Sequence, residues 1–136
     1  MTKDEAIDVI RDAGFCMFGT VKDNKPRVRP MMPYYVEETG ELILALLGRS
    51  RTLTEVKTNP NIELCFVDRK MWYCRVAGQA SISTDASKKE ILWNNIPMLK
   101  QYFGGIDDAN FHLITIQITS LEAMTPHQKE PENIKI

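Results

Sequence analysis

Two pairs of arginines are the residues of this chain whose type and spacing could do chemistry. Arg27 and Arg29 lie two apart in Lys25-Pro26-Arg27-Val28-Arg29-Pro30-Met31-Met32-Pro33. In an extended strand both guanidiniums share one face, and two like charges side by side require an anion or solvent. Arg49 and Arg51 flank Ser50 directly after Gly48, where an apolar run ends and a helix should begin. A serine N-cap and free backbone N–H groups at a helix start favour negative charge by a fraction of a kcal/mol up to about 2 kcal/mol. Arginine adds charge-assisted contacts of the kind made to phosphate. The chemistry implied is recognition of a phosphate-like anion; the alternative for each pair is a solvated surface.

Other chemistry finds little support. His112 and His127 are the only histidines, and Cys16, Cys65 and Cys74 form no CxxC or Cys/His ligand spacing, so neither a metal centre nor a Ser/His/Asp triad is expected. No GxGxxG or GxxxxGK[ST] loop is present. With 43% hydrophobic residues, 26% charged residues and a net charge of -1, no extended field draws the whole protein to nucleic acid or membrane. The polar, acidic start and the lack of a long apolar run predict a cytoplasmic protein.

The elements that must position the arginines follow from pattern. Thr2-Lys3-Asp4-Glu5 matches a capping box and opens a helix to about Ala13, closed by Gly14. Phe15–Val21 reads as an apolar strand, with Gly19 marking a bulge or a close backbone approach. The next strand contains Pro26, Pro30 and Pro33, which donate no backbone hydrogen bond, so it belongs on an edge or beside something other than a strand. Glu41–Leu47 is apolar on both faces, as a central strand should be, and delivers the chain to Ser50 as cap of a helix stopped by Asn59-Pro60. Asn61–Val67, a long strand Met71–Ile82 bent at Gly78, and Phe111–Leu121 complete the strands. Helical segments follow Thr84-Asp85 and Pro97, and the tail from Pro126 should lie extended on the surface. About six or seven strands at hairpin spacing predict a mainly β fold, a small antiparallel barrel with a few helices, in one domain spanning 1–136.

Arg27-Val28-Arg29-Pro30-Met31, Ser50-Arg51, Asn59-Pro60 and Trp72-Tyr73-Cys74-Arg75-Val76-Ala77-Gly78, with Ile96–Lys100 and the closing Pro131–Ile136, resemble the pyridoxamine 5'-phosphate oxidase-related, FMN-binding split-barrel family in its general stress protein 26-like branch. The resemblance implies a six-stranded Greek-key split barrel that pairs into a homodimer with FMN at the interface. It implies that Arg29, with Arg27 as second choice, binds the FMN phosphate together with Ser50 and Arg51, the first two residues of the family's Ser-Arg-Lys run, while Arg49 is the residue placed to compensate for what that run lacks here. Pro30, Met31 and Met32 would meet the isoalloxazine ring, and Trp72 and Tyr73 would reach it from the partner or else pack a core or interface. Thr52 stands where the family carries lysine, and Leu46 where relatives often carry threonine. The implied function is an FMN-dependent oxidoreductase acting on an unidentified small-molecule electron donor or acceptor, with no catalytic side chain of its own. The alternative is a non-catalytic flavin carrier, sensor or stress-related protein. A haem-binding barrel is disfavoured by the lack of histidine in the central strands.

Overall fold

Thr2 opens the first helix through reciprocal bonds: its hydroxyl accepts from the Glu5 amide at 3.1 Å and the Glu5 carboxylate accepts from the Thr2 amide at 2.7 Å. The helix α1 spans Lys3–Ala13 and ends where Gly14 takes a left-handed φ of 74°, a conformation glycine adopts without cost. In the computed structural model, which describes residues 1–136, α1 lays Ala6, Ile7, Val9 and Ile10 against the core. The strands are β1 Cys16–Lys22, β2 Lys25–Met31, β3 Tyr34–Val36, β4 Glu41–Leu47, β5 Asn61–Val67, β6 Tyr73–Ser83, β7 Phe111–Met124 and β8 Glu132–Asn133. The remaining helices are α2 Arg51–Thr58, α3 Ala86–Asn95 and a 3-10 segment, Pro97–Gln101.

All eight strands join one antiparallel sheet in the order β2-β1-β5-β6-β7-β4-β3, with β8 added to β7. Six strands are seven residues or longer; β3 and β8 have three and two. The long set is the expected split-barrel set. The ladder does not close, because β2 and β3 are its two ends and share no pairing.

The proline-rich β2 takes an edge. Pro26 and Pro30 lie opposite Val21 and Met17 of β1, and no strand flanks β2 on its other side, so the absent proline N–H leaves no central ladder bond unmade. Gly19 carries no bulge: pairing runs unbroken through it, and a Cβ there would come 3.2 Å from the Glu63 carbonyl oxygen. Gly78 does mark a register shift, between Ala77 and Gly78, against β7. Trp72 departs from its expected strand. Asp68 Oδ1 accepts from the amides of both Lys70 and Trp72, an Asx-type turn that holds the chain out of the ladder until Tyr73.

The main core lies between the inner sheet face and helices α1 and α2, and includes Phe18, Leu44, Leu64, Phe66, Val76 and Ile114. Burial there pushes the Cys16 and Cys74 thiols up to about 12, so both behave as small apolar groups. The tail does more than cover the surface: β8 delivers Ile134 into this core, where it is 8% exposed. A smaller cluster, with Ile43, Leu92, Phe103 and Phe111, forms under α3, and the Phe103 and Phe111 rings stack with centroids 4.7 Å apart.

Candidate functional site

The ends of β2 and β4 run out beside each other where α2 begins, and α3 with the 3-10 segment covers the gap. The result is a cavity of about 260 Å³. Pro30, Met31 and Met32 form one wall, Ala45, Leu46 and Leu47 the floor, and Leu92, Ile96, Leu99 and Phe103 the opposite wall. Ser50 stands on its rim, Met98 and Tyr102 at its mouth, and eleven of the 13 lining residues are hydrophobic. Ser50 and Tyr102 supply the only polar side-chain atoms.

Ser50 caps α2, its Oγ accepting from the Leu53 amide at 3.2 Å. The amides of Arg51 and Thr52 therefore begin the helix without intrahelical acceptors, and the first turn carries no acidic residue. Arg49 and Arg51 are exposed and neither makes an ion pair. This end of the helix is thus positively charged and open to an anion.

The other arginine pair has a partner already. Arg29 Nη2 donates to Glu55 Oε1 at 2.7 Å, and Nη1 donates to Thr20 Oγ1 at 2.8 Å and to the Phe18 carbonyl at 3.3 Å. Thr20 in turn donates to Glu55 Oε1 at 2.6 Å. Arg27 approaches the same carboxylate from the far side, its Nε 3.8 Å from Oε2. Glu55 is 3% exposed, and its Oε2 is the one buried side-chain atom with no hydrogen-bond partner; such an acceptor costs about 1–3 kcal/mol. The Thr20 hydroxyl, supported by Arg29 and Arg27, holds the Glu55 carboxyl below the usual glutamate range against the opposing effect of burial.

This architecture has known counterparts. The sequence model of the family described as "Pyridoxamine 5'-phosphate oxidase like" matches residues 2–127. The chain belongs to that family. Within it, General stress protein 26 of Bacillus subtilis (strain 168) is 25% identical to the chain, over 98% of this chain and 96% of that protein. The crystal structure of the General Stress Protein 26 from Bacillus anthracis str. Sterne matches with a TM-score of 0.83 at 27% identity, covering 98% of each chain. A pyridoxamine 5'-phosphate oxidase-related, FMN binding protein from Nostoc punctiforme shares the fold at 18% identity, with a TM-score of 0.67 over 96% of this chain and 85% of that one.

Against the family's expected site, the structure brings Pro30, Met31, Met32 and Ser50 to one cavity, with Leu46 in its floor and Arg49 and Arg51 beside the helix start. Arg27 and Arg29 face Glu55 instead of the cavity. Thr52 is turned into the protein, 6% exposed. Trp72 and Tyr73 lie outside the cavity: Trp72 packs on the main core under Lys70, whose Nζ is 3.9 Å from the ring centroid, and the Tyr73 hydroxyl donates to Met124 Sδ at 3.5 Å. Glu55 and Thr20, which hold Arg29, are partners that the motif reading missed. The readable signal was helical period: Thr52, Leu53, Glu55 and Val56 make one inward face of α2, and a carboxylate on such a face requires a cation. No helix is long and apolar enough to cross a membrane.

Proposed function

We propose that this chain is an FMN-binding flavoprotein and an FMN-dependent oxidoreductase for small molecules. The observation that carries the reading is the cavity that joins Pro30–Met32 to Ser50 at the start of α2. Its volume lies just below the range of about 300–1,000 Å³ usual for small-molecule pockets. That suits a ligand whose flat apolar ring is enclosed and whose charged ester lies outside on the rim. Met31 and Met32 supply polarisable cover for a ring face, and the backbone at Pro30–Met31, paired with β1 on one side, has no strand on its outer side. Ser50, the first amides of α2, Arg49 and Arg51 form the counter-site for a phosphate carrying between one and two negative charges.

FMN, when bound, supplies hydride or electron-pair transfer at the ring nitrogen N5. The chain's contribution is to bind and orient, and to exclude water with Leu92, Ile96 and Phe103. No carboxylate, histidine, lysine or cysteine lines the cavity, which matches chemistry carried by the cofactor and leaves a non-catalytic flavin carrier as the second reading. Two copies are proposed to share the site, meeting through the outer face of β1, β2 and β5. Met17, Val21 and Val28 are exposed there, beside a groove of about 490 Å³.

The test is the absorbance spectrum of the purified protein before and after denaturation, with the released flavin identified. Arg51→Ala should weaken FMN binding by about 1.5–3 kcal/mol if a charge-assisted phosphate contact is lost. A colourless protein that takes up no added FMN, or an Arg51→Ala variant retaining flavin unchanged on desalting, removes the reading. Reduction of the bound flavin by NADH or NADPH, followed by reoxidation by an added acceptor, separates oxidoreductase from carrier.

A further inference from the structure

The guanidinium that the family pattern assigns to the phosphate already holds an anion. Arg29 Nη2 bonds Glu55 Oε1 and its Nη1 bonds Thr20, which itself bonds Glu55, so the three side chains close a triangle. Strand register gives the direction of the pull. Thr20 lies opposite Arg27, whereas Met31 lies opposite Cys16. Arg29 therefore bends towards the Arg27 end of β2, away from the end where Met31, Met32 and Ser50 line the cavity. Glu55 comes five residues after Ser50, about 7.5 Å further along the helix axis. One carboxylate thus sits between both arginines of β2, well inside the helix whose start carries the open anion site.

We propose that Glu55 is an internal competitor of the ligand phosphate. It retains Arg29, with Thr20 as the clasp, and Arg29 reaches the anion site at the start of α2 only by giving up the Glu55 carboxylate. The inference rests on the FMN reading and names the residue that sets how tightly the phosphate end is held. Two physical facts support it. A phosphate drawn close to Arg29 while Glu55 remains beside it meets like-charge repulsion in a partly desolvated site. A site whose binding conformer is only fractionally populated has its apparent affinity lowered by that fraction.

The test compares FMN with riboflavin, which carries the same ring and no phosphate, by fluorescence titration of the full chain. Glu55→Gln keeps the shape of the side chain and removes its charge. It should tighten FMN binding about tenfold, the scale of one charge-assisted hydrogen bond, and leave riboflavin unchanged. The gain should vanish in Glu55→Gln/Arg29→Gln. Thr20→Val, which removes the clasp alone, should shift FMN in the same direction by less, and it stands in if Glu55→Gln fails to fold. Weaker FMN binding in Glu55→Gln, an equal effect on both ligands, or a gain that survives loss of Arg29 overturns the inference and leaves the FMN reading intact. Failure of the unaltered chain to bind FMN overturns both.

Discussion

Arg29→Met, measured without ligand, tests whether the Arg29–Glu55–Thr20 cluster fastens α2 to the open edge of the sheet. The substitution removes the contacts to Glu55 at 2.7 Å, Thr20 at 2.8 Å and the Phe18 carbonyl at 3.3 Å. Methionine keeps an apolar side chain of similar reach but gives up the guanidinium that stands 5.9 Å from the Phe18 ring centroid, so the loss is chiefly electrostatic. It leaves Glu55 buried, with Oε1 on the Thr20 hydroxyl and Oε2 still without a donor. Breaking a fully buried ion pair costs about 3–5 kcal/mol. Here Arg29 is 21% exposed and Arg27 waits 3.8 Å from Oε2, so water and Arg27 recover part of that, and about 2–3 kcal/mol is expected at neutral pH. The sign with pH follows from Glu55. Its folded pKa is lowered, so in the unaltered chain its contribution is fully present above the unfolded value of about 4.3 and is lost as pH falls through the lowered folded value. In the variant the opposing effect of burial gains weight, and protonation relieves it, so the deficit should shrink as the solution is acidified below about pH 4. Urea denaturation at pH 7 and near pH 3.5 reads both, as a lower midpoint with unchanged slope at pH 7. Arg29→Met/Glu55→Met should recover most of the loss. A deficit under about 1 kcal/mol at pH 7, the scale of a surface pair, or one equal at both pH values, refutes the reasoning.

Gly78→Ala should destabilise the chain by about 1–3 kcal/mol, the cost of overpacking, because the new Cβ would stand 2.6 Å from the Gln117 carbonyl oxygen and 2.8 Å from Ile116 Cγ2. Gly48→Ala is the control in the same thermal melts: its Cβ meets the tip of His112, whose Nε2 is 2.8 Å away on a side chain that can turn, and its loss should be smaller. Equal melts for the two variants contradict the packing argument. Light scattering of the unaltered chain should give twice its 15.6 kDa mass. Val28→Asp, at a position 62% exposed on the outer face of β2, should give a monomer with unchanged far-UV dichroism. A monomeric unaltered chain rejects the shared-site proposal.

Local chemistry decided which parts of this fold could be read in the sequence. The Thr2–Glu5 capping box, the Gly14 stop, the prolines that force β2 to an edge and the doubly apolar β4 each act within a few residues, and each stands in the structure where pattern placed it. Trp72 was misplaced because a single Asp68 side chain, satisfying two amides, outweighs the strand preference of Met71-Trp72-Tyr73. The far wall of the cavity was not legible either. Only Leu92 of α3 is fully buried, so the helix lacks a periodic apolar stripe, and its place in the smaller cluster against which Met32 and Leu47 pack is a tertiary fact. The meeting of Pro30–Met32 with Ser50 comes from the β3–β4 hairpin instead, whose register sets Tyr34 opposite Ile43 and so returns β4 past the end of β2 towards the start of α2.

The same helix must serve two masters, and its sequence shows how the conflict is resolved. The inward face of α2, made of Thr52, Leu53, Glu55 and Val56, roofs the main core, while its N-cap, Ser50, lines the cavity. Turning the helix to aim another side chain at the rim would pull Leu53 and Val56 out of a close-packed interior, where even a methylene is felt. Thr52 is caught in that constraint. The resemblance expects a lysine at this position, but Thr52 faces inward at 6% exposure, where a short hydroxyl fits without the desolvation that a cation there would suffer. Positive charge at the rim therefore comes from Arg49 and Arg51, which are exposed and project from outside the packed face. Exposed charges are screened by salt over about 8 Å at physiological ionic strength, whereas Arg29, partly sheltered, would be screened less. On the proposed reading the strongest cation for a phosphate is thus the one already held by Glu55, and the affinity of the site is decided inside α2 before any ligand arrives.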